Sequence, residues 1–129
     1  MIPGRCLCGA IRYQIHGEVG PIDLCHCSFC RRASGSAFAS NATIARNDFE
    51  MVAGKDVLKE YESSPGKFRS FCSDCGSPIF ARHVASPDTL RIRCGTLDAD
   101  PGSRPLGHYD VASKAPWFSI ADDLPQSPD

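Results

Sequence analysis

Eight cysteines occur in this 129-residue chain, and seven of them fall in runs with the spacing of metal ligands. Cys25-His26-Cys27-Ser28-Phe29-Cys30 places three thiols in the pattern C-x-C-x-x-C. Cys6 and Cys8 precede it as a C-x-C pair, and Cys72 and Cys75 follow it as a C-x-x-C pair. Apolar packing gives no reason for such crowding. A zinc ion does, because it gathers soft thiolates at about 2.3 Å, and a tight turn delivers neighbouring cysteines to one point. Cys94 stands alone.

The two outer pairs share a design. Gly9 follows Cys8 and Gly76 follows Cys75, as in zinc-knuckle turns where glycine lets the backbone fold back under the metal. Cys6, Cys8, Cys72 and Cys75 together make a closed four-thiolate site, whose role is structural. The middle run supplies Cys25, Cys27 and Cys30 with no evident fourth ligand. Three ligands and an open position are the arrangement of a catalytic zinc, able to polarise a carbonyl, activate water or hold a substrate thiolate. Three thiolates make the ion soft and favour sulfur in the open position. The competing reading is a second structural site closed by His26, Cys94 or His108.

Neighbouring residues suggest subordinate roles. The His26 ring is expected to turn away from the metal and to hydrogen-bond a thiolate or water. Cys94, on the apolar face of a strand, reads as a small core residue. Arg31 and Arg32 are either a solvated basic pair or a grip for a carboxylate-bearing ligand beside the metal. Trp117 and Phe118 read as core. His26, His108 and Asp98 are the candidates for moving protons.

Composition limits the function classes. The apolar fraction of 42% is ordinary for a globular protein, so metal would supplement a core and not replace it. The formal charge is −1, and zinc on seven thiolates would make it more negative, which disfavours nucleic acid as a partner. No stretch is long enough to span a membrane, and Met1–Arg5 runs into the first cysteine pair without an apolar leader. A cytoplasmic location is expected, where thiols stay reduced and a disulfide framework is the weaker reading of the cysteines.

The elements that must position these ligands are short. Ile11, Tyr13 and Ile15 alternate with Arg12, Gln14 and His16 as a half-buried strand. A single helical turn is expected across Cys25–Cys30. Phe38–Ile44 reads as a strand, Asn47–Gly54 as one helical turn and Val57–Tyr61 as a weak strand. Phe68–Phe71 and Pro78–Val84 flank the third knuckle as a hairpin. Leu90, Ile92 and Cys94 alternate with Arg91 and Arg93. Asp98–Pro105 is a loop, and Tyr109–Val111 and Trp117–Ile120 are short final strands. Residues 121–129 read as a loosely ordered tail, polar and proline-containing from Leu124 on. The sum is one all-β domain over residues 1–129, with about eight short antiparallel strands in two or more small sheets pinned by zinc.

Several pieces, in order, resemble the glutathione-dependent formaldehyde-activating family, a zinc-binding group also called centromere-protein-V-like, with the Mss4-like fold. They are Gly4-Arg5-Cys6-Leu7-Cys8-Gly9, Cys25–Arg32 with Ser34-Gly35, Phe71–Ser77, Gly95-Thr96-Leu97-Asp98, and His108 with Ser113–Trp117. The resemblance implies a structural zinc on Cys6, Cys8, Cys72 and Cys75 and a second zinc on Cys25, Cys27 and Cys30. It also implies a carbon–sulfur lyase that joins glutathione to formaldehyde as S-hydroxymethylglutathione, with Arg31 or Arg32 on a glutathione carboxylate. Two other readings of the residues stand beside it. One is a non-catalytic zinc scaffold that binds a macromolecule, and the other is a thiol redox sensor in which Cys25, Cys27 and Cys30 release zinc on oxidation.

Overall fold

A computed structural model describes residues 1–129. The first alternating run pleats as expected. β1 (Ile2–Arg5) and β2 (Arg12–Ile15) pair antiparallel and bury Tyr13 and Ile15, with Ile11 just before β2. Between them Cys6-Leu7-Cys8-Gly9 makes the turn. Gly9 sits at φ 81°, a conformation that strains any side chain, and its N–H donates to the Cys6 carbonyl at 3.2 Å. β5 (Phe49–Ala53) completes a three-stranded sheet in the order β1-β2-β5.

A second, seven-stranded sheet carries most of the chain. Its strands are β3 (Ile22–Cys25), β4 (Ala39–Ala45), β6 (Leu58–Ser64), β7 (Lys67–Cys72), β8 (Pro78–His83), β9 (Thr89–Arg93) and β10 (Pro105–Tyr109), in the order β10-β3-β4-β9-β8-β7-β6. The two sheets share one hydrophobic cluster. Ile11, Tyr13 and Ile15 from the small sheet meet Leu24, Ala42, Ile44, Ile79, Leu90 and Ile92 from the large one. Ile11, Ile15, Ile79 and Ile92 are wholly buried, and full burial of such a side chain contributes about 1.5–3 kcal/mol. Cys6 and Cys72 belong to the same cluster, so the outer thiols sit where the sheets meet.

The expected helical turn across the middle run is α1 (Ser28–Ser34). Cys27 caps it, its sulfur accepting from the Cys30 N–H at 3.3 Å, and Gly35 ends it at φ 65° with its N–H on the Arg31 carbonyl at 2.8 Å.

The structure corrects several expectations. There are ten strands, and β10 runs parallel to β3, whereas every other neighbouring pair is antiparallel. The helical turn expected over Asn47–Gly54 shrinks to a 3-10 turn at Arg46–Asp48. Strand β5 follows, because Phe49 and Met51 alternate with exposed Glu50 and Val52 and pack on the core. Trp117–Ile120 forms no strand. Pro116 lacks the N–H a ladder needs, and the Lys114 ammonium gathers the Ala115 and Phe118 carbonyls into a turn. Trp117 is 71% exposed and not core, while Phe118 packs edge-on to Phe38. The residues read as a loose tail are tied down: Ser127 N–H donates to the His108 carbonyl at 2.9 Å and His108 N–H to the Pro125 carbonyl at 2.8 Å.

Candidate metal centres and the adjoining cavity

The β1–β2 turn and the β7–β8 turn bring Cys6, Cys8, Cys72 and Cys75 to one point. The Cys6 and Cys8 sulfurs lie 3.6 Å apart, and those of Cys8 and Cys72 3.9 Å. A tetrahedron of sulfurs about 2.3 Å from zinc has edges of about 3.8 Å. None of the eight cysteines is in a disulfide. The electrostatics also suit a cation. The Ser77 hydroxyl and nearby N–H groups hold Cys75 down to about 5, and Cys6 is lowered because the Ile11 N–H and the Cys8 thiol outweigh its burial. Cys8 is pushed up to about 12, since the pull of the Ala10 N–H is overcome by Cys6, burial and the other two sulfurs. Four thiolates this close need a dication to be ionised together.

The middle run forms the second cluster. The sulfurs of Cys25, at the end of β3, Cys27, at the cap of α1, and Cys30, within α1, all lie within 4.8 Å of one another. The neighbouring Cys25 thiol holds Cys30 down to about 4 against its burial, with Cys27, Arg69 and Arg93 assisting, and Cys25 is pushed up in turn. The Cys25 thiol donates to Asp110 Oδ2 at 3.2 Å. None of the three residues named as a fourth ligand joins this cluster. Cys25 and Cys30 open on a cavity of about 610 Å³, a size suited to a small ligand.

Comparison with known proteins places this geometry. The sequence profile of the glutathione-dependent formaldehyde-activating enzyme family matches residues 1–112. The chain belongs to that family. A Halomonas elongata protein provisionally named a glutathione-dependent formaldehyde-activating enzyme is 29% identical, the match covering 93% of this chain and 81% of that one. An uncharacterized lyase of Schizosaccharomyces pombe is 30% identical over 91% of this chain and 90% of its own. A crystal structure of a Rhodobacter sphaeroides protein matches with a TM-score of 0.65 and 27% identity, covering 80% of this chain and 97% of that one. This all-β family fold, with its one short α-helix, is the frame that holds both thiol clusters. No helix is long and apolar enough to cross a membrane.

Around the two thiol clusters the structure redistributes the remaining candidates. His26 is wholly buried, and its ring does turn from the thiols, but its partner is His108: Nε2 of His26 lies 2.7 Å from Nδ1 of His108. His108 Nε2 reaches Asp122 Oδ2 at 2.9 Å, so a His–His–Asp chain ties residues 108–122 to the second knuckle. Asp98 lies 3.9 Å from Arg5, lining a different cavity. Arg31 is half-buried and Arg32 exposed on α1; neither lines the cavity beside Cys25 and Cys30. Cys94 packs against the core, and burial pushes its thiol up to about 11.

Sequence reasoning missed the groups that do line this cavity. Asp110 is held at φ 57°, left-handed backbone that Asp tolerates better than most residues. Lys67 and Arg93 face the cavity with Cys30, and Arg69 reaches the Cys30 sulfur at 3.9 Å from behind. Arg93 carried a signal, since it alternates with Leu90 and Ile92 and so points to the other face of β9. Nothing local shows that α1 and Asn41 of β4 cover that face and bury it.

Proposed function

We propose that this protein joins glutathione to formaldehyde, giving S-hydroxymethylglutathione, and cleaves that adduct in the reverse direction as a carbon–sulfur lyase. The observation that carries the reading is a three-thiol cluster opening on a cavity, in a chain of this family. In the forward reaction the glutathione sulfur bonds to the carbonyl carbon, the C=O π bond opens, and the thiol proton ends on the former carbonyl oxygen. No electrons are exchanged with another partner.

Cys25, Cys27 and Cys30 would hold zinc, which when bound supplies a soft Lewis acid that favours an ionised thiol and a polarised carbonyl. The chain's own residues do the rest. The Cys27 cap and Gly35 fix the pitch of α1, so Cys30 faces Cys25 across the turn. Arg69 and Arg93 offset the negative charge gathered on the sulfurs. Asp110 Oδ2 lies 3.2 Å from the Cys25 sulfur, near enough to the cluster to take the proton of an incoming thiol and return it to the alkoxide. Cys6, Cys8, Cys72 and Cys75 would hold a second, structural zinc. Reduced thiols fit a cytoplasmic setting.

The test is the rate of adduct formation from glutathione and formaldehyde on zinc-loaded protein, with the uncatalysed rate subtracted. Acceleration proportional to protein supports the reading. No rate above background at full zinc loading overturns it.

A further inference from the structure

Four cations line the cavity beside Cys25 and Cys30, and they divide into two kinds. Arg82 grips Glu60 with two hydrogen bonds of 2.6 and 2.9 Å, and Arg91 meets Asp23 at 2.9 Å. Lys67 and Arg93 form no ion pair. Arg93 is only 8% exposed, and its one side-chain partner is the neutral amide oxygen of Asn41. Arg69, equally buried behind Cys30, spends Nε on the Ser63 hydroxyl at 3.0 Å and leaves Nη2 without a partner. The acids of the cavity do not compensate them. Asp23 is engaged by Arg91, and neither Asp110 nor exposed Asp129 lies within ion-pair distance of Lys67 or Arg93.

A cation drawn from water with no carboxylate in ion-pair reach, and only the thiol cluster to offset it, gains from an anion that enters with the ligand. An ammonium and a guanidinium on one cavity wall match a carboxylate, the guanidinium through paired N–H groups. We propose that Lys67 and Arg93 form a subsite for a carboxylate of the thiol substrate, which selects thiols that carry an acid group over thiols that do not. The inference rests on the proposed thiol-binding role of Cys25, Cys27 and Cys30, and it moves carboxylate recognition from Arg31 and Arg32 on α1 to β7 and β9. Glutathione carries two carboxylates and cysteamine none, so the two thiols report on the subsite separately from the sulfur.

The experiment is calorimetric titration of the zinc-loaded protein with glutathione, cysteamine and S-methylglutathione, which keeps both carboxylates but has its sulfur capped. The proteins are the natural sequence, Lys67→Gln and Arg93→Lys, each checked for fold by circular dichroism and for zinc content. Each substitution is expected to weaken glutathione and S-methylglutathione by about tenfold or more, the scale of one lost charge-assisted hydrogen bond, and Lys67→Gln is expected not to weaken cysteamine, whose ammonium is freed from a like charge. Should Arg93→Lys fail to fold, half-buried Lys67 decides the matter alone. Unchanged S-methylglutathione affinity in Lys67→Gln overturns the subsite, as does an equal loss for cysteamine or no binding of S-methylglutathione by the natural protein. Binding of S-methylglutathione through Lys67, with no acceleration of adduct formation, would uphold the subsite and refute the proposed reaction.

Discussion

Two cysteine-to-serine substitutions separate the two thiol clusters. Cys72 is wholly buried in the core cluster and belongs to the set that joins the small sheet to the large one. In Cys72→Ser one of four sulfurs is lost, and a hydroxyl is left in an apolar surrounding. Structural zinc contributes about 10–16 kcal/mol to folding in small zinc peptides, comparable with the about 5–15 kcal/mol of net stability in a whole domain. A large share of the stability should therefore go, and with it any cooperative transition near the natural Tm. Cys27→Ser is different in kind. Cys27 is half-buried and caps α1, and serine is among the best residues for that position, so the bond from the Cys30 N–H survives. Apart from the lost metal, the cost should be under about 1 kcal/mol, a Tm shift of no more than about 4–8 °C. Thermal unfolding by circular dichroism and zinc per chain by elemental analysis read both variants. Equal loss of stability in the two, or unfolding of Cys27→Ser, would refute the division into a structural and a reactive centre.

Other expectations follow from single observations. In zinc-free protein Cys75 and Cys30 are held at about 5 and about 4, far below the ordinary thiol value of 9.0, so thiolate absorbance should persist at pH 7 and fade as pH drops through those values. Both shifts are downward, so these groups stabilise the fold in full above the ordinary value and lose that contribution as pH falls toward 5 and 4; a zinc-free Tm that rises on acidification from pH 8 to 6 would contradict this. Gly54→Ala should cost far more than Gly35→Ala. Both glycines have positive φ, but a Cβ at 54 would lie 2.4 Å from the Ala10 carbonyl oxygen while one at 35 meets nothing within 4 Å; denaturant midpoints would settle the order. Asp110→Asn keeps a residue that accepts left-handed backbone but removes the proton acceptor. Adduct formation should fall about a hundredfold or more with Tm unchanged, and full activity in that variant would remove Asp110 from the reaction.

Much of the site was legible because thiol chemistry is local. A C-x-C or C-x-x-C turn announces its ligands wherever it lies, and the pairing of Cys6 and Cys8 with Cys72 and Cys75 followed from shared turn chemistry. The strands around Tyr13 and Ile92 were legible from their alternation, and the one around Ile79 from its place as an arm of the hairpin that carries the third knuckle. What escaped depends on what covers a surface. Arg93 alternates correctly, yet α1 lies over its face of the sheet and turns a surface residue into a buried cation. Trp117 has the composition of a core residue but follows Pro116 in a turn and stays in solvent. Asp110 and Cys25 meet only because β10 inserts parallel beside β3, a long-range pairing with no local signature.

That parallel pairing also sets a calendar for the nascent chain. The ribosome delivers Cys25, Cys27 and Cys30 well before Tyr109 and Asp110, the residues that β10 places along the cavity wall. At synthesis rates of about 5–20 residues per second, seconds pass between the two. Throughout that interval the half-made protein shows its three reactive sulfurs to oxidants and to any soft metal in the cell. Once β10 and the His26–His108 contact are in place, Cys25 and Cys30 open on a cavity lined by Lys67, Arg82, Arg91 and Arg93. If Cys25, Cys27 and Cys30 take zinc as proposed, they are free to do so before Tyr109 and Asp110 complete the cavity wall.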